Sequence, residues 1–341
     1  MGLREIGRTI GFSDVLEELG PDNVFGMPGW HVWCGSAVRG GDGLYYLFFS
    51  RWPEEAGFEA WVTHSEIGLA VSEWPAGPYR FVRTLFDGNE ADWDRVTHNP
   101  AVLEHKGKYY LYYMGTNGRP NARHPGLHDV WWTHRNNQRI GVAEAKHPAG
   151  PWRRMKEPVL DVTPGSWDGL MTSNPSVCTG RDGQIVMMYK GVAEGPLPKG
   201  GAVNAGTAFA VHPAGPFVKR ETPDIANPEH PWAVEDPCIW FEDGRYLALM
   251  KDFQGYFTKG EPSTIALLES DDGENWKPCP KPLAMRRELR WSAGRVQSVH
   301  RLERPQLLLE NGRPVVCFLA VLETPEARSY SVHIPLRLIP R

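Results

Sequence analysis

VEDPCIWFEDGRYLALMKDF, residues 234–253, decides the fold because the chain repeats its grammar. A polar pair stands before a proline, an apolar strand follows, a turn containing glycine reverses the chain, and a second strand rich in β-branched or aromatic residues returns. The same order runs through THNPAVLEHKGKYYLYYMGT (97–116), TSNPSVCTGRDGQIVMMYKG (172–191) and LERPQLLLENGRPVVCFLAV (302–321). WCGSAVRGGDGLYYLFFSR (33–51) fits the frame with Ser36 read at the proline position. A second echo follows four copies: IGLAVSEWPAGPYRF (67–81), IGVAEAKHPAGPWRR (140–154), AGTAFAVHPAGPFVK (205–219) and, more loosely, IALLESDDGENWKP (265–278). Each reads as a third strand, a turn and a short fourth strand that opens on an aromatic residue.

Four antiparallel strands recurring at roughly 60 to 75 residues describe the blade of a β-propeller. The expectation is an all-β, five-bladed β-propeller occupying 1–341 as a single domain. Its blades start near 33, 97, 172, 234 and 302, and residues 1–30 form an N-terminal extension. Helical periodicity is almost confined to residues 13–19, which disfavours a TIM barrel or doubly wound sheet. The frame also sorts loops onto faces. Residues before the first strand, ending the second and opening the third meet on one axial face, while the PAGP turns fall at the other end.

Composition narrows the function. With 41% hydrophobic and 23% charged residues and a net charge of -4, the 341-residue chain is globular and not a nucleic-acid-binding polycation. Its 14 Trp suit large cores between sheets or platforms that stack on sugars. Five cysteines without a short CxxC pair argue against a disulfide framework and a structural zinc site. No segment reaches the roughly 18 apolar residues of a membrane span, and the first residues lack the apolar core of a signal peptide. The expectation is therefore no membrane or nucleic-acid partner. Localisation reads as cytoplasmic, or secreted or periplasmic if a signal peptide has been removed. No GxSxG, P-loop or dinucleotide fingerprint is present.

The five-copy frame, with Glu235-Asp236-Pro237 heading a strand–Asp-Gly–strand hairpin, resembles the five-bladed propeller glycoside hydrolases of families 43 and 117 and, more distantly, the phosphorylases of family 130. That resemblance implies a glycosidase acting on a poly- or oligosaccharide without a cofactor, with a structural ion in the central channel compatible with the group. Family 43 implies three axial carboxylates, the first in blade one. Here that position reads Cys34-Gly35-Ser36, without a carboxylate, and the second and third read His98-Asn99-Pro100 and Ser173-Asn174-Pro175. Family 117 is similar in using a histidine acid, which leaves His98 and His300 open. The EGP at Glu194 follows its strand where the family's precedes one, so no role is carried over.

Cleaving a glycosidic bond needs a proton donor for the leaving oxygen and a second group facing the anomeric carbon, usually two carboxyls. Asp236, Glu303 and Glu66 are the catalytic candidates. Regular strands point neighbours to opposite faces, so of Glu235 and Asp236 only one is expected to face the substrate, Asp236 being preferred. Substrate-binding candidates are His98, Asn99, Asn174, Asp168, Glu235 and Asp252, the cations Arg51, Arg139, Lys190 and Arg304 with Lys251 beside them, and Trp52 and Trp131. Converging cations suit an anionic sugar or a phosphate. The long inserts 51–66 and 117–139 join second to third strands and look like walls of a pocket suited to exo-action on a terminal sugar. His124, His128 and His134 in the second insert match no metal motif, and no metal site is expected. A glycoside phosphorylase, or a non-catalytic carbohydrate-binding propeller, is the alternative reading.

Overall fold

The structure, a computed structural model, describes residues 5–86, 92–119 and 129–337. These contain the five four-stranded antiparallel sheets of an all-β propeller. Blade I runs Trp30–Arg39, Tyr45–Pro53, Glu66–Ser72 and Arg80–Thr84. Blade II runs Val96–His105, Lys108–Thr116, Arg139–Ala145 and Arg153–Arg154. Blade III comprises Met171–Thr179, Ile185–Val192, Val203–Ala210 and Val218–Lys219. Blade IV comprises Val234–Glu242, Arg245–Asp252, Thr264–Ser270 and Lys277–Met285.

Blade V takes three strands from the end of the chain, Arg301–Glu310, Arg313–Leu322 and Tyr330–Pro335, and its outermost strand from the beginning. Val24 and Phe25, within the stretch read as an extension, pair antiparallel with Val332 and Ser331. Phe25 is buried edge-on against Phe49, 4.8 Å between ring centres, so the strand is anchored by its side chain as well as its backbone.

The first hairpins turn where the sequence allows positive φ. Lys106-Gly107, Asp243-Gly244 and Asn311-Gly312 have both central residues there, at 52° and 76°, 51° and 83°, and 51° and 74°, the conformation of two-residue hairpins with the twist of their strands. The core is a set of wedges between blades. Trp240, Leu247 and Leu249 of blade IV meet Leu302, Leu319 and Val332 of blade V, and Phe48 and Leu69 of blade I meet Leu111 and Tyr113 of blade II. The aromatic after each PAGP turn crosses to a neighbour: Tyr79 onto Phe318 at 6.3 Å, Trp152 onto Phe48 at 5.4 Å, Phe217 onto Tyr112 at 6.4 Å. His147 and His212 accept from the amides of Ala149 and Ala214 within their turns, which makes this repeated histidine a corner device.

One register differs from the sequence reading. Pairing is interrupted between Trp33 and Ser36, as between His98 and Ala101, so Gly35, not Ser36, stands at the proline position. Both glycine and proline suit a place where the ladder is broken, one by its freedom and the other by lacking an N–H.

Candidate active site

All five innermost strands carry the same irregularity at the axis. Register shifts lie at Trp33/Ser36, His98/Ala101, Ser173/Ser176, Glu235/Cys238 and Glu303/Gln306. Within each, the residue before the proline or glycine is left-handed: Cys34 (φ 61°), Asn99 (53°), Asn174 (53°), Asp236 (59°) and Arg304 (56°). This β-bulge overturns the alternation expected of a regular strand. Glu235 and Asp236 line the same pocket, as do His98 and Asn99, and Glu303 and Arg304.

The pocket, of about 90 Å³, is completed by Trp33, Trp52, Phe58, Trp61, Asn174, Lys190 and Arg301. Its acids are knotted by lysines. Lys251 donates to Glu303 at 2.6 Å and to Glu235 at 3.0 Å, and Lys190 reaches Glu235 at 3.1 Å. Burial by itself would raise Glu235, but Lys251 and Lys190 outweigh it and hold the carboxyl well below the usual range. Asp236 moves the other way, up to about 6, through burial first and then the charge of Glu235, against the opposing pull of Arg304. His98 is pushed well below its ordinary value by burial and by Arg304 and Lys190, so it stands as neutral imidazole. Its Nδ1 faces the Ser65 hydroxyl at 2.7 Å, and its ring lies 5.2 Å from Trp61 and 5.7 Å from Trp52.

Other sequence candidates lie elsewhere for a single geometric reason. Lys190 pairs with Ser173 and Lys251 with Glu235, and the equivalent partner of Trp33 is Ser50. Arg51 and Asp252 come one residue later and so point to the opposite face of their sheets. Arg51 binds Glu66 and Thr84 and stacks on Trp30 at 4.0 Å; with it Glu66 is drawn out of the pocket. Asp252 is fully buried and accepts from the backbone amides of 254–258, which it folds into a loop. Asp168 is likewise buried against Tyr189 and Lys219, and Arg139 pairs with Asp161. Trp131 donates to the Glu59 carbonyl at 2.9 Å and packs on Trp61, buttressing the wall without lining the pocket. Trp52 lines the pocket but is spent internally, with Nε1 on the Gly57 carbonyl. His300 is exposed, and His124 and His128 lie outside the described residues.

Trp33, Phe58 and Arg301 were missed. Trp33 holds in blade I the register of His98, Glu235 and Glu303, and Arg301 stands two residues before Glu303 on the same face, so the frame carried a signal for both. One oxygen from each of Glu235, Asp236 and Glu303 lies within 4.8 Å of the others, close enough for a cation. The ammonium of Lys251 already supplies that charge, and no metal is assigned.

With the site in view, the class of fold is that of known glycoside hydrolases. Zg3597, a family 117 glycoside hydrolase of the marine bacterium Zobellia galactanivorans, is 19% identical, with a TM-score of 0.61 over 94% of this chain and 88% of that one. CoXyl43, a family 43 β-xylosidase/α-arabinofuranosidase from a compost microbial metagenome in complex with xylotriose, is 16% identical at a TM-score of 0.60, covering 92% and 94%. An endo-arabinase from Bacteroides thetaiotaomicron is 14% identical at 0.58, covering 92% and 98%. The likeness is one of fold. No protein-family model and no curated protein matches the sequence.

Proposed function

We propose that this protein is a glycoside hydrolase that removes a terminal, anionic sugar held in the axial pocket. One observation carries the reading: a carboxyl raised to about 6, Asp236, and an ion-paired carboxylate, Glu303, line one small tryptophan-walled space at the axis. A carboxyl that holds its proton, set beside a carboxylate held by an ion pair, is what acid-assisted cleavage requires. Asp236 gives its proton to the glycosidic oxygen as the bond to the anomeric carbon breaks, and Glu303 offsets the positive charge developing on the ring. A water then adds its oxygen to the anomeric carbon and returns a proton to Asp236. His98, neutral, and Asn99 offer hydrogen bonds to sugar hydroxyls, and Trp61 offers an apolar face.

The charge balance supports an acidic substrate. Against Glu235, Asp236 and Glu303 stand Lys190, Lys251, Arg301 and Arg304. The two short helices of the inserts, Trp61–His64 and Val130–Asn136, pack together, the first placing Trp61 on the pocket wall, which favours exo-action over an open groove. The test is a panel of nitrophenyl glycosides, glycosiduronates and acidic oligosaccharides, each with and without inorganic phosphate. Asp236→Asn and Glu303→Gln are expected to lower turnover at least 100-fold with the fold intact. Turnover that depends on phosphate would instead identify a phosphorylase, and binding without turnover a carbohydrate-binding propeller.

A further inference from the structure

The five left-handed residues do more than shape the bulges, because their side chains meet across the axis and their hydrogen bonds run one way. The Cys34 thiol donates to Asn99 Oδ1 at 2.8 Å, Asn99 Nδ2 donates to Asn174 Oδ1 at 2.7 Å, and Asn174 Nδ2 donates to Asp236 Oδ1 at 2.6 Å. From the other side Arg304 Nη1 approaches the same Oδ1 at 3.4 Å and sits beside the Cys34 thiol, closing the circle. All five are at most 5% exposed. The ionised Asp236 carboxylate orients the Asn174 amide, since a reversed amide would set oxygen against it, and in this orientation Oδ1 also takes the Ser173 hydroxyl at 2.7 Å.

We propose that Asn174, with Asn99 and Cys34 behind it, is a positioning residue whose donor chain commits Asp236 Oδ1 and leaves Oδ2 as the atom that carries the transferable proton. The inference rests on Asp236 being the acid of the proposed reaction. Oδ2 makes no hydrogen bond among the described residues, whereas every bond to Asp236 falls on Oδ1. Donors in series polarise one another, so the last bond in the chain is the strongest, and a bond donated to a carboxylate favours its ionised form. The chain therefore restrains a proton affinity that burial drives upward. A left-handed backbone at a cysteine and an arginine, which lack the local hydrogen bonding that eases it for Asn and Asp, is strained, yet the same conformation recurs at all five positions.

Other charges facing Asp236 set the background: Glu235 on its own strand, Glu303 and Arg304 from blade V, and Lys251 from the second strand of blade IV. Lys190 of blade III acts through Glu235, while His98 of blade II is neutral and the Cys34 thiol of blade I is held protonated by burial, its pKa pushed up to about 12.

Asn174→Ala removes the terminal donor and is expected to raise the Asp236 pKa, moving the falling limb of the kcat/KM profile up by about one to two pH units. Cys34→Ala is expected to move it the same way by a few tenths of a unit, and Cys34→Ser, which keeps a donor, to restore the wild-type profile. A second readout does not need turnover: the carboxyl resonance of Asp236 in 13C-Asp-labelled protein, identified by its loss in Asp236→Asn, is titrated in wild type, Asn174→Ala and Cys34→Ala. Upward shifts of that titration support the positioning role even if no glycoside is cleaved, which would remove only the functional reading. An unchanged titration in either folded variant, or a rate lowered equally at every pH, overturns the proposal.

Discussion

Replacing Lys251 by methionine removes one charge and little volume, and the consequence follows from the distances. The ammonium lies 2.6 Å from Glu303 and 3.0 Å from Glu235, and Lys251 is 6% exposed. Without it, the half-buried Glu235 and the buried Glu303 are left within 4.8 Å of each other and of Asp236, with Lys190 on Glu235 and Arg301 3.9 Å from Glu303 as the cations that remain beside them. Removing one partner of a buried ion pair costs about 3–5 kcal/mol when the survivor is left unpaired, and with Lys190 and Arg301 still beside the survivors the lower end, about 3 kcal/mol, applies. At about 2–4 °C per kcal/mol for a large domain, the melting point at pH 7 should fall by roughly 10 °C. The pH dependence carries the sharper test. In the wild type Glu235 is held below its unfolded value, so that contribution is present above the unfolded pKa of about 4.3 and is lost as pH falls through the folded one. In Lys251→Met, burial and repulsion raise the carboxyls, so the penalty is present at pH 7 and is relieved as pH falls through the raised values. Calorimetry or urea unfolding from pH 7 to 4 should therefore show the gap between the two proteins closing. A gap of the same size at both ends, or one under about 1 kcal/mol at pH 7, would refute the account of a charge knot.

The proton on Asp236 predicts that kcat/KM falls as pH rises through about 6, because the acid must be protonated to act; a profile flat from pH 5 to 8 would remove it from that role. All five cysteines are buried, and burial pushes Cys34, Cys238 and Cys279 up to about 12, so a thiol reagent should label the native protein slowly and the urea-unfolded protein fully. Phe25→Ala empties the anchor of the outermost strand of blade V and should destabilise by about 3–5 kcal/mol, with amide exchange accelerating first along Tyr330–Pro335.

The propeller was legible because a strand's two-residue period and its turn chemistry are local properties, and five approximate copies make a weak signal strong. The polar pairs before proline pointed to the axis for the same reason. What the pattern concealed was conformational. Strand alternation assigns Glu235 and Asp236 to opposite faces, and only the left-handed turn at Asp236 brings them together. Arg51 and Asp252 differ from the pocket register by one residue, and no local property of an arginine or aspartate announces its phase. Val24–Phe25 is too short for any periodicity; its pairing with the far end of the sequence is a tertiary fact. The tryptophans were ambiguous until placed. Trp61 faces the pocket, while Trp131 and Trp52 direct their indole N–H groups to backbone carbonyls nearby.

That two-residue strand has a kinetic meaning. As the protein is synthesised, Val24 and Phe25 appear early and have no strand to pair with until Tyr330–Pro335 has been made. Blades I to IV can each form from nearby sequence, but they can stack only as an open arc, with the flank of blade I that meets Leu308, Val316 and Phe318 uncovered. Closure is the longest-range event in the molecule and the one with the highest loop entropy, so it should be the slow step of refolding and the point at which two arcs could exchange ends. A circular permutant that joins residues 5 and 337 and opens between blades II and III would convert this pairing into a local one and move the long-range closure to the contact between blades II and III.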